Sequence, residues 1–462
     1  MVEYTDVINT DAAWLPQIPA HWQLQKIDAL FTERKTKVSD KDYAPLSVTK
    51  KGILPQLEHA AKSNDSDNRK LVKAGDFVIN SRSDRKGSCG VSKLDGSVSL
   101  INLVLTPRSK LNNDYVHYLL RNYRFSEEYY RNGRGIVADL WTTRYSEMRT
   151  ILLPVPPRAE QDQIVRFLDW KVSEINKLIG IRRKEIQEFN QLKNTVITKT
   201  VTTGLKREEL CGTDNSYYRM IPKGWRITKT LRVLSQPLTD GPHTTPQLYE
   251  EGIPFVSAEA VSCGNGKIDF NHIRGFISQD FYEECCKKYV PKIDDIYMIK
   301  SGATTGRVSI VDTDRIFTIW SPLAVFRCNQ EVMLPRFLFY ALQALPYQQQ
   351  VQDGWSYGTQ QNIGMRVLEQ LKLAYPDVTE QEKIACYLDD KCDMLDKAIQ
   401  LAESKIKALQ ELKSTIISDV VTGKIDVRNV TIPEYEHIDD IYDDNNEDGE
   451  ETEVTEIDGE EG

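Results

Sequence analysis

The sequence predicts an α/β (α+β) chain in which two pseudo-repeated mixed α/β domains are separated by two long helices that pair as an antiparallel coiled coil. Three observations lead there. The phrase Pro-x3-Glu-Gln-x2-Ile-x3-Leu-Asp occurs at Pro156 to Asp169 and again at Pro376 to Asp389, 220 residues later. The apolar residues after the phrase keep identical spacing in both copies. The stretch ahead of each copy opens on Ile-Pro-x-x-Trp, ending at Trp22 and at Trp225. Internal repetition on this scale decides architecture before any single residue does.

The helices carry the strongest pattern. In the first copy, Ile164, Leu168, Val172, Ile175, Ile179, Ile186, Phe189, Leu192 and Val196 follow in steps of 4, 4, 3, 4, 7, 3, 3 and 4. The second copy gives the same steps through Ile384, Leu388, Cys392, Leu395, Ile399, Ile406, Leu409, Leu412 and Ile416. Alternating threes and fours draw one apolar stripe along a helix, and a near-heptad stripe asks for a second helix against it. Prolines precede each helix and none interrupts it for about forty residues, roughly 60 Å of rod at 1.5 Å per residue. The polar remainder, Arg182 to Glu185 and Glu403 to Lys405 among it, suits a pair standing largely in water. Each helix lying on its own globular domain is the other arrangement open to the pattern.

The domains repeat more loosely. "APLSVTKKGILP" from Ala44 can be laid beside "IPFVSAEAVSCGNGKI" from Ile253, and "AGDFVINSRS" from Ala74 beside "IDDIYMIKSG" from Ile293. The last two are short apolar runs of strand type behind an acidic residue. The expected division is a first domain over 1–157, the first long helix and its connection over 158–211, a second domain over 212–378, the second long helix over 379–428, and a tail over 429–462. Trp22 and Trp225, at matching positions, read as packing anchors.

Charge separates the tail from the body. Fifteen Asp or Glu and no Lys or Arg lie between Glu434 and Glu461; without them 53 acids face 59 basic residues, a body of about +6 against a whole-chain charge of −9. Low-complexity acidic segments are disordered by composition; this one reads as a solvating tail first and as a DNA mimic second. No run nears the ~18 apolar residues of a membrane span, and the start "MVEYTDVINTDAAW" is no signal sequence, so a cytoplasmic location is expected. Eight cysteines without a Cys-x-x-Cys pair, and six scattered histidines, argue against a disulfide framework and a zinc site.

Catalytic motifs are missing. There is no Walker A loop, no G-x-G-x-x-G, and the Pro156-Pro157 pair lacks the flanking Asn or Asp and aromatic residue that would hold a flipped base. Pro376-Asp377 with Glu403-x-Lys405 could suggest a metal nuclease, but the last two residues fall within the long helix as ordinary solvent-facing charge. The chain is expected to bind rather than to turn over.

The segments "DGPHTTPQLYEEGIPFVSAEAV" (from Asp240), "IKSGATTGRVSIV" (from Ile299), "PLSVTKKGILPQ" (from Pro45) and the twice-used Glu-Gln phrase resemble the specificity subunit of Type I restriction-modification systems. The resemblance covers about Leu15 to Val427. It implies that each domain is a target-recognition domain for one part of a split double-stranded DNA site, and that the helices set their separation. It further implies two modification (methyltransferase) subunits as partners, methylating adenine N6 with S-adenosylmethionine. Restriction and translocase subunits using ATP and Mg are implied as well. No cofactor and no metal is expected on this chain, and no catalytic residue. A coiled-coil scaffold without sequence readout is the alternative; a nuclease or methyltransferase in its own right is the third.

DNA contact needs Arg, Asn or Gln for base edges, and Lys, Arg, Ser, Thr or backbone amides for phosphates. In the first domain the candidates are Lys50, Lys51, Arg82, Arg85, Lys86, Arg134 and Arg144, with "NSRSDRKGSCG" the preferred stretch. In the second they are His243, Thr244 and Thr245; Lys300, Ser301, Thr304, Thr305 and Arg307; and Tyr357, Gln360 and Gln361. Any one of them is equally well a solvated loop residue, and His243 is a poor candidate for a metal ligand. The first domain lacks "DGPHTTP" and has "INSRSDRKG" where the second has "IKSGATTGR", so the target is expected to be asymmetric.

Overall fold

The computed structural model describes residues 2–56, 67–108, 111–135, 141–206, 209–357 and 361–439. Two compact units comprise it, one built from residues 1–183 and 403–462, the other from 184–402.

In unit 1, strand β1 (Val2–Glu3) precedes β2 (Gln23–Lys26), β3 (Phe31–Glu33), β4 (Phe77–Asn80), β5 (Cys89–Val91), β6 (Asn102–Pro107) and β7 (Leu152–Val155). β4 is buried at all four positions, as expected of a Phe-Val-Ile run, and lies central in an antiparallel sheet of order β5-β4-β6-β3 with Phe77 opposite Leu105. Asp76, the acid ahead of β4, is buried and takes a bidentate pair from Arg34 at 2.7 and 3.0 Å. Helices α1 (Asn113–Arg121) and α2 (Tyr123–Arg131) start on Asn112 and Asn122, whose side chains accept the first free backbone N–H groups. α3 (Arg158–Thr203) is the first long helix.

Unit 2 repeats the frame. Its strands β8 (Arg226–Lys229), β9 (Thr239–Asp240), β10 (Ile296–Ile299), β11 (Val308–Ile310), β12 (Leu323–Phe326) and β13 (Lys372–Tyr375) include a sheet of order β9-β12-β10-β11. Helices α4 (Pro335–Gln343) and α5 (Leu345–Asp353) lead to α6 (Val378–Val421), the second long helix. β8 pairs with β13 just before α6, as β2 pairs with β7 just before α3. Asp295 stands where Asp76 does, is equally buried, and takes its own bidentate Arg327 at 2.7 and 2.6 Å. The frames differ in what lies ahead of the central strand. "APLSVTKKGILP" forms a hairpin of Leu46–Thr49 with Gly52–Pro55, whereas "IPFVSAEAV" forms a strand, Ile253–Val256, followed by a helix, Ala258–Cys263. The final strand, β14 (Ile425–Asp426), returns to pair with β1 in unit 1.

The repeated Glu-Gln phrase locks each long helix to its domain. Gln161, 1% exposed, accepts from the Asn112 amide at 2.9 Å and donates to the Pro156 carbonyl. Gln381, fully buried, accepts from the Leu334 amide at 2.8 Å and donates to the carbonyls of Val332 and Pro376. Glu160 receives the indole N–H of Trp22 at 3.0 Å, while Trp225, equally buried, packs on Phe337. Each long helix ends on a left-handed glycine, Gly204 (φ +72°) or Gly423 (φ +75°). The Cβ of any other residue would press there against Glu380 and Trp225, or against Pro19 and Trp22.

The helices pair within each unit. In unit 1 the start of α3 and the end of α6 share one apolar cluster, with Ile164, Leu168, Ile175 and Ile179 beside Leu409, Ile416 and Val420. In unit 2 the end of α3 joins the start of α6, with Val196, Ile197 and Val201 beside Ile384, Leu388 and Cys392; Leu395 is buried as well. The pairing is therefore antiparallel. The same clusters hold the domain sheets and short helices, so these halves of the rods are domain core rather than solvated spacer. Phe189 and Ile399 are half-buried. Leu192 and Leu412 depart from the predicted seam, at 48% and 47% exposure. Two successive steps of three each lag a whole turn by about 60°, which swings these leucines off the seam. Seven residues beyond Ile186 and Ile406 the seam is occupied instead by Lys193 and Lys413. Lys193 pairs with Asp396 at 2.6 Å, and Lys413 donates to Asn176 at 3.1 Å.

Candidate nucleic-acid interface

In each unit the loop that leaves the central strand meets a segment that lies ahead of the last strand, around Thr142 or Asn362. In unit 1, Arg82 bridges Thr142, and Arg134 bridges the same Thr142 through backbone bonds of 3.0 and 3.1 Å. Ser83 and Trp141 close the junction reciprocally, Ser83 N–H to the Trp141 carbonyl at 2.9 Å and Trp141 N–H to Ser83 Oγ at 3.0 Å. In unit 2, Ser301 bridges Asn362, and the Gly302 N–H donates to the Gln361 carbonyl at 3.0 Å. These are one contact, seen twice: Ser301 and Asn362 are the repeat equivalents of Arg82 and Thr142. The repeat thus keeps the backbone and changes the side chains.

In unit 1 the predicted residues gather around this junction. Arg134, Arg144 and Lys86 are exposed, Arg82 and Arg85 half-buried. Lys50 and Lys51 form the tip of the Leu46–Pro55 hairpin, and the Lys50 stem runs past Gly87, next to Lys86. Lys86 is held by Glu127 at 2.5 Å, and Arg144 caps a short helix through Glu147. Beside the loop opens a cleft of about 520 Å³ lined by Trp14, Ser83, Lys86, Arg124, Arg131 and Trp141. Trp141 is 37% exposed. Sequence reasoning missed Trp141 and Arg124, although "LWTTR" next to Arg144 offered an aromatic beside a cation, the pairing on which bases stack.

In unit 2 three separate segments converge. Asp240, 1% exposed, is the centre: its Oδ1 receives Lys288 Nζ, and its Oδ2 lies 3.2 Å from Lys300 Nζ and 3.3 Å from His243 Nε2. Burial pushes this carboxyl up, but hydrogen bonds from Lys288 and Lys300 and their charges outweigh it and hold the group below its ordinary range. His243, Thr244 and Thr245 are exposed at the edge of this cluster. Lys300 is drawn inward, at 14% exposure. Thr305 Oγ1 donates to the Gly302 carbonyl at 2.7 Å, Thr304 is half-buried, and Arg307 reaches back to the Ser262 carbonyl at 3.2 Å. Tyr357 pairs with Gln361 through the backbone; Gln360 lies outside the described residues. Lys288, which completes the cluster from outside the three motifs, carries no local signal in "CCKKY". Among the described residues no group of three or more His, Cys, Asp or Glu is arranged to hold a metal ion, and no helix is long and apolar enough to cross a membrane.

Two copies of one frame, each presenting cations and hydroxyls beside a loop junction, define a duplicated binding protein. Residues 247–411 match the family described as Type I restriction modification DNA specificity domain. The Type I restriction enzyme MjaVIII specificity subunit of Methanocaldococcus jannaschii is 24% identical over 61% of this chain and 63% of its own. The EcoBI specificity subunit of Escherichia coli is 22% identical over 62% of this chain and 61% of its own. The chain thus aligns with a little under two thirds of the length of these relatives. A solved structure concerned with complex assembly and conformational transition of the type I R-M system superposes over 88% of this chain and 99% of that one, with a TM-score of 0.61 at 15% identity, a likeness of fold. Residues 247–411 thus match the DNA specificity domain of Type I restriction-modification systems, and the chain is similar over about 60% of its length to specificity subunits of such systems.

Proposed function

We propose that this chain is the non-catalytic DNA sequence-specificity subunit of a Type I restriction-modification complex. It reads an asymmetric, bipartite double-stranded site and directs adenine-N6 methylation and restriction by its partners. The observation that carries the reading is the repeated loop junction, Arg82–Thr142 in one unit and Ser301–Asn362 in the other. One backbone platform with different side chains is what two half-sites of different sequence require, because base edges discriminate by donor and acceptor pattern.

The two helices supply spacing. At 46 and 44 residues they are each about 65–70 Å long at 1.5 Å per residue, and a fixed separation of readers becomes a fixed separation of half-sites along the duplex. The first target-recognition domain takes 1–157 and the second 212–378. Two modification subunits, bringing S-adenosylmethionine, and restriction or translocase subunits, bringing ATP and Mg, complete the assembly in the cytoplasm of a bacterium or archaeon. The test is long-read methylation mapping of the native host with the gene intact and deleted. Loss of N6-methyladenine at one interrupted, asymmetric motif is the expected result; survival of every methylated motif would overturn the assignment.

A further inference from the structure

The start of the acidic tail crosses one long helix of unit 1 obliquely, and that track differs from its repeat equivalent at the positions it uses. Residues 427–439 begin with a turn, the Val430 N–H donating to the Val427 carbonyl at 3.2 Å, and continue along α3. Gln163 Nε2 donates to the carbonyls of Val427 and Val430 at 3.0 and 2.9 Å, and Asn176 Nδ2 donates to the Ile438 carbonyl at 3.0 Å. The Ile438 N–H returns a bond to Ser173 Oγ at 3.3 Å, and Lys177 lies 3.7 Å from Glu436. Val430 and Ile432 join the apolar cluster that contains Phe167 and Trp170. Ser173 and Asn176 are each only 2% exposed.

Phe167, Trp170, Ser173 and Asn176 recur every three residues along α3. Shifted by 220 residues they become Tyr387, Asp390, Asp393 and Asp396 on α6. Three acids in unit 2 correspond to none in unit 1. The exchange at the last position is the most telling. Asp396 uses both oxygens on Lys193, at 2.6 and 2.8 Å. Asn176 keeps the equivalent lysine contact through its oxygen, from Lys413 at 3.1 Å, and gains an N–H with which to hold the tail. A carboxylate there would set negative charge against a carbonyl oxygen and against Glu434, Glu436 and Asp439. On α6, Tyr387 is 37% exposed and Asp393 is 64% exposed, where Phe167 and Ser173 are covered.

We propose that residues 427–439 are a specific intramolecular ligand of α3 that crosses it obliquely over Phe167, Trp170, Ser173 and Asn176, and that loss of the acids found at the repeat-equivalent positions is what admits them. The two long helices then present unlike surfaces: one occupied by the chain's own strap, one without such a strap among the described residues. A partner that docks on the strapped face must first displace the strap. The inference goes beyond the proposed DNA role and stands without it.

The test is hydrogen–deuterium exchange of the full chain, read on peptides covering 430–439, for the wild type, Asn176→Asp, Ser173→Asp and Asp396→Asn. Asn176→Asp restores the residue that pairs with lysine in unit 2, so the helix pair retains its partner. Wild-type protection independent of protein concentration is expected. Roughly tenfold or more faster exchange is expected in Asn176→Asp and Ser173→Asp, from loss of a strap hydrogen bond and added repulsion. No change is expected in Asp396→Asn. Exchange at unfolded-chain rates in the wild type, protection that rises with concentration, or unaltered protection in both strap-facing variants would each overturn the proposal. Should Asn176→Asp fail to fold, Ser173→Asp decides alone.

Discussion

Replacing Gln381 by Leu removes the side chain that locks α6 to unit 2 while keeping nearly its shape. The fully buried amide makes three hydrogen bonds, accepting from the Leu334 N–H at 2.8 Å and donating to the Val332 and Pro376 carbonyls at 2.9 and 3.0 Å. The leucine would leave one buried N–H without its acceptor and deprive two carbonyls of a donor. At about 1 kcal/mol net per hydrogen bond, and about 1–3 kcal/mol for an orphaned buried donor, the expected loss is roughly 3–5 kcal/mol. Against typical domain stabilities of about 5–15 kcal/mol this is a large fraction. Urea denaturation followed by circular dichroism measures it, with exchange mass spectrometry showing where opening begins. The same change at Gln161, which makes two such bonds, is expected to cost less, about 2–4 kcal/mol, and to loosen unit 1. A loss below about 1 kcal/mol for Gln381→Leu would refute the view that the repeated glutamine holds helix and domain together.

Inserting seven residues after Lys184 and seven after Ser404 lengthens the paired helices by about 10 Å, close to three base pairs of B-DNA. Methylation mapping is expected to show both half-sites unchanged and the gap wider by about three; an unchanged gap would contradict the spacer role. Arg82→Ala with Arg134→Ala is expected to weaken binding and relax readout at one half-site only, lowering the salt slope by about one per lost phosphate contact. Filter binding to duplexes mutated in one half-site at a time checks this. Asp240 carries an acid-side prediction. Its folded pKa lies below the unfolded one, so its contribution is full above the unfolded value near ~3.9 and is lost as pH falls through the lower folded value. Asp240→Asn is expected to be less stable near neutrality and to show a shallower acid limb in urea midpoints. A limb as steep as wild type's would remove Asp240 from the account.

Much of the fold was legible because repetition is a property of the chain itself. The stripe through Ile164, Leu168, Ile175 and Ile179 and its copy through Ile384, Leu388 and Leu395 declared the helices and their seam, and these residues are buried. The reading slipped at Leu192 and Leu412, where spacing alone did not reveal that two steps of three rotate a residue off the seam. It also read the rods as standing largely in water, since the sheet residues that share a core with the start of α3, such as Phe77 and Leu105, lie some sixty to ninety residues upstream.

The candidate interface was legible as a set of segments but not as a place. "DGPHTTP", "IKSGATTGR" and "WSYGTQQN" were each visible as polar loops; their meeting at Asp240 and at the Ser301–Asn362 bridge depends on strand order, as does the meeting of Arg82 with Thr142. Lys288 and Trp141 went unnoticed for the same reason, because a lysine or tryptophan acquires its role only from what folding sets beside it.

By itself the sequence determined that this chain is built twice, that each copy ends in a long helix, and that the two copies carry different loops on one plan. Periodicity and repetition are local or self-referential, so no coordinates are needed to see them. Only the tertiary structure decided what the repeated glutamines hold, which lysines replace leucines in the seam, and why Asn176 differs from Asp396. Those answers depend on partners tens to hundreds of residues distant, and a hydrogen bond formed across such a separation leaves no mark in the order of the amino acids.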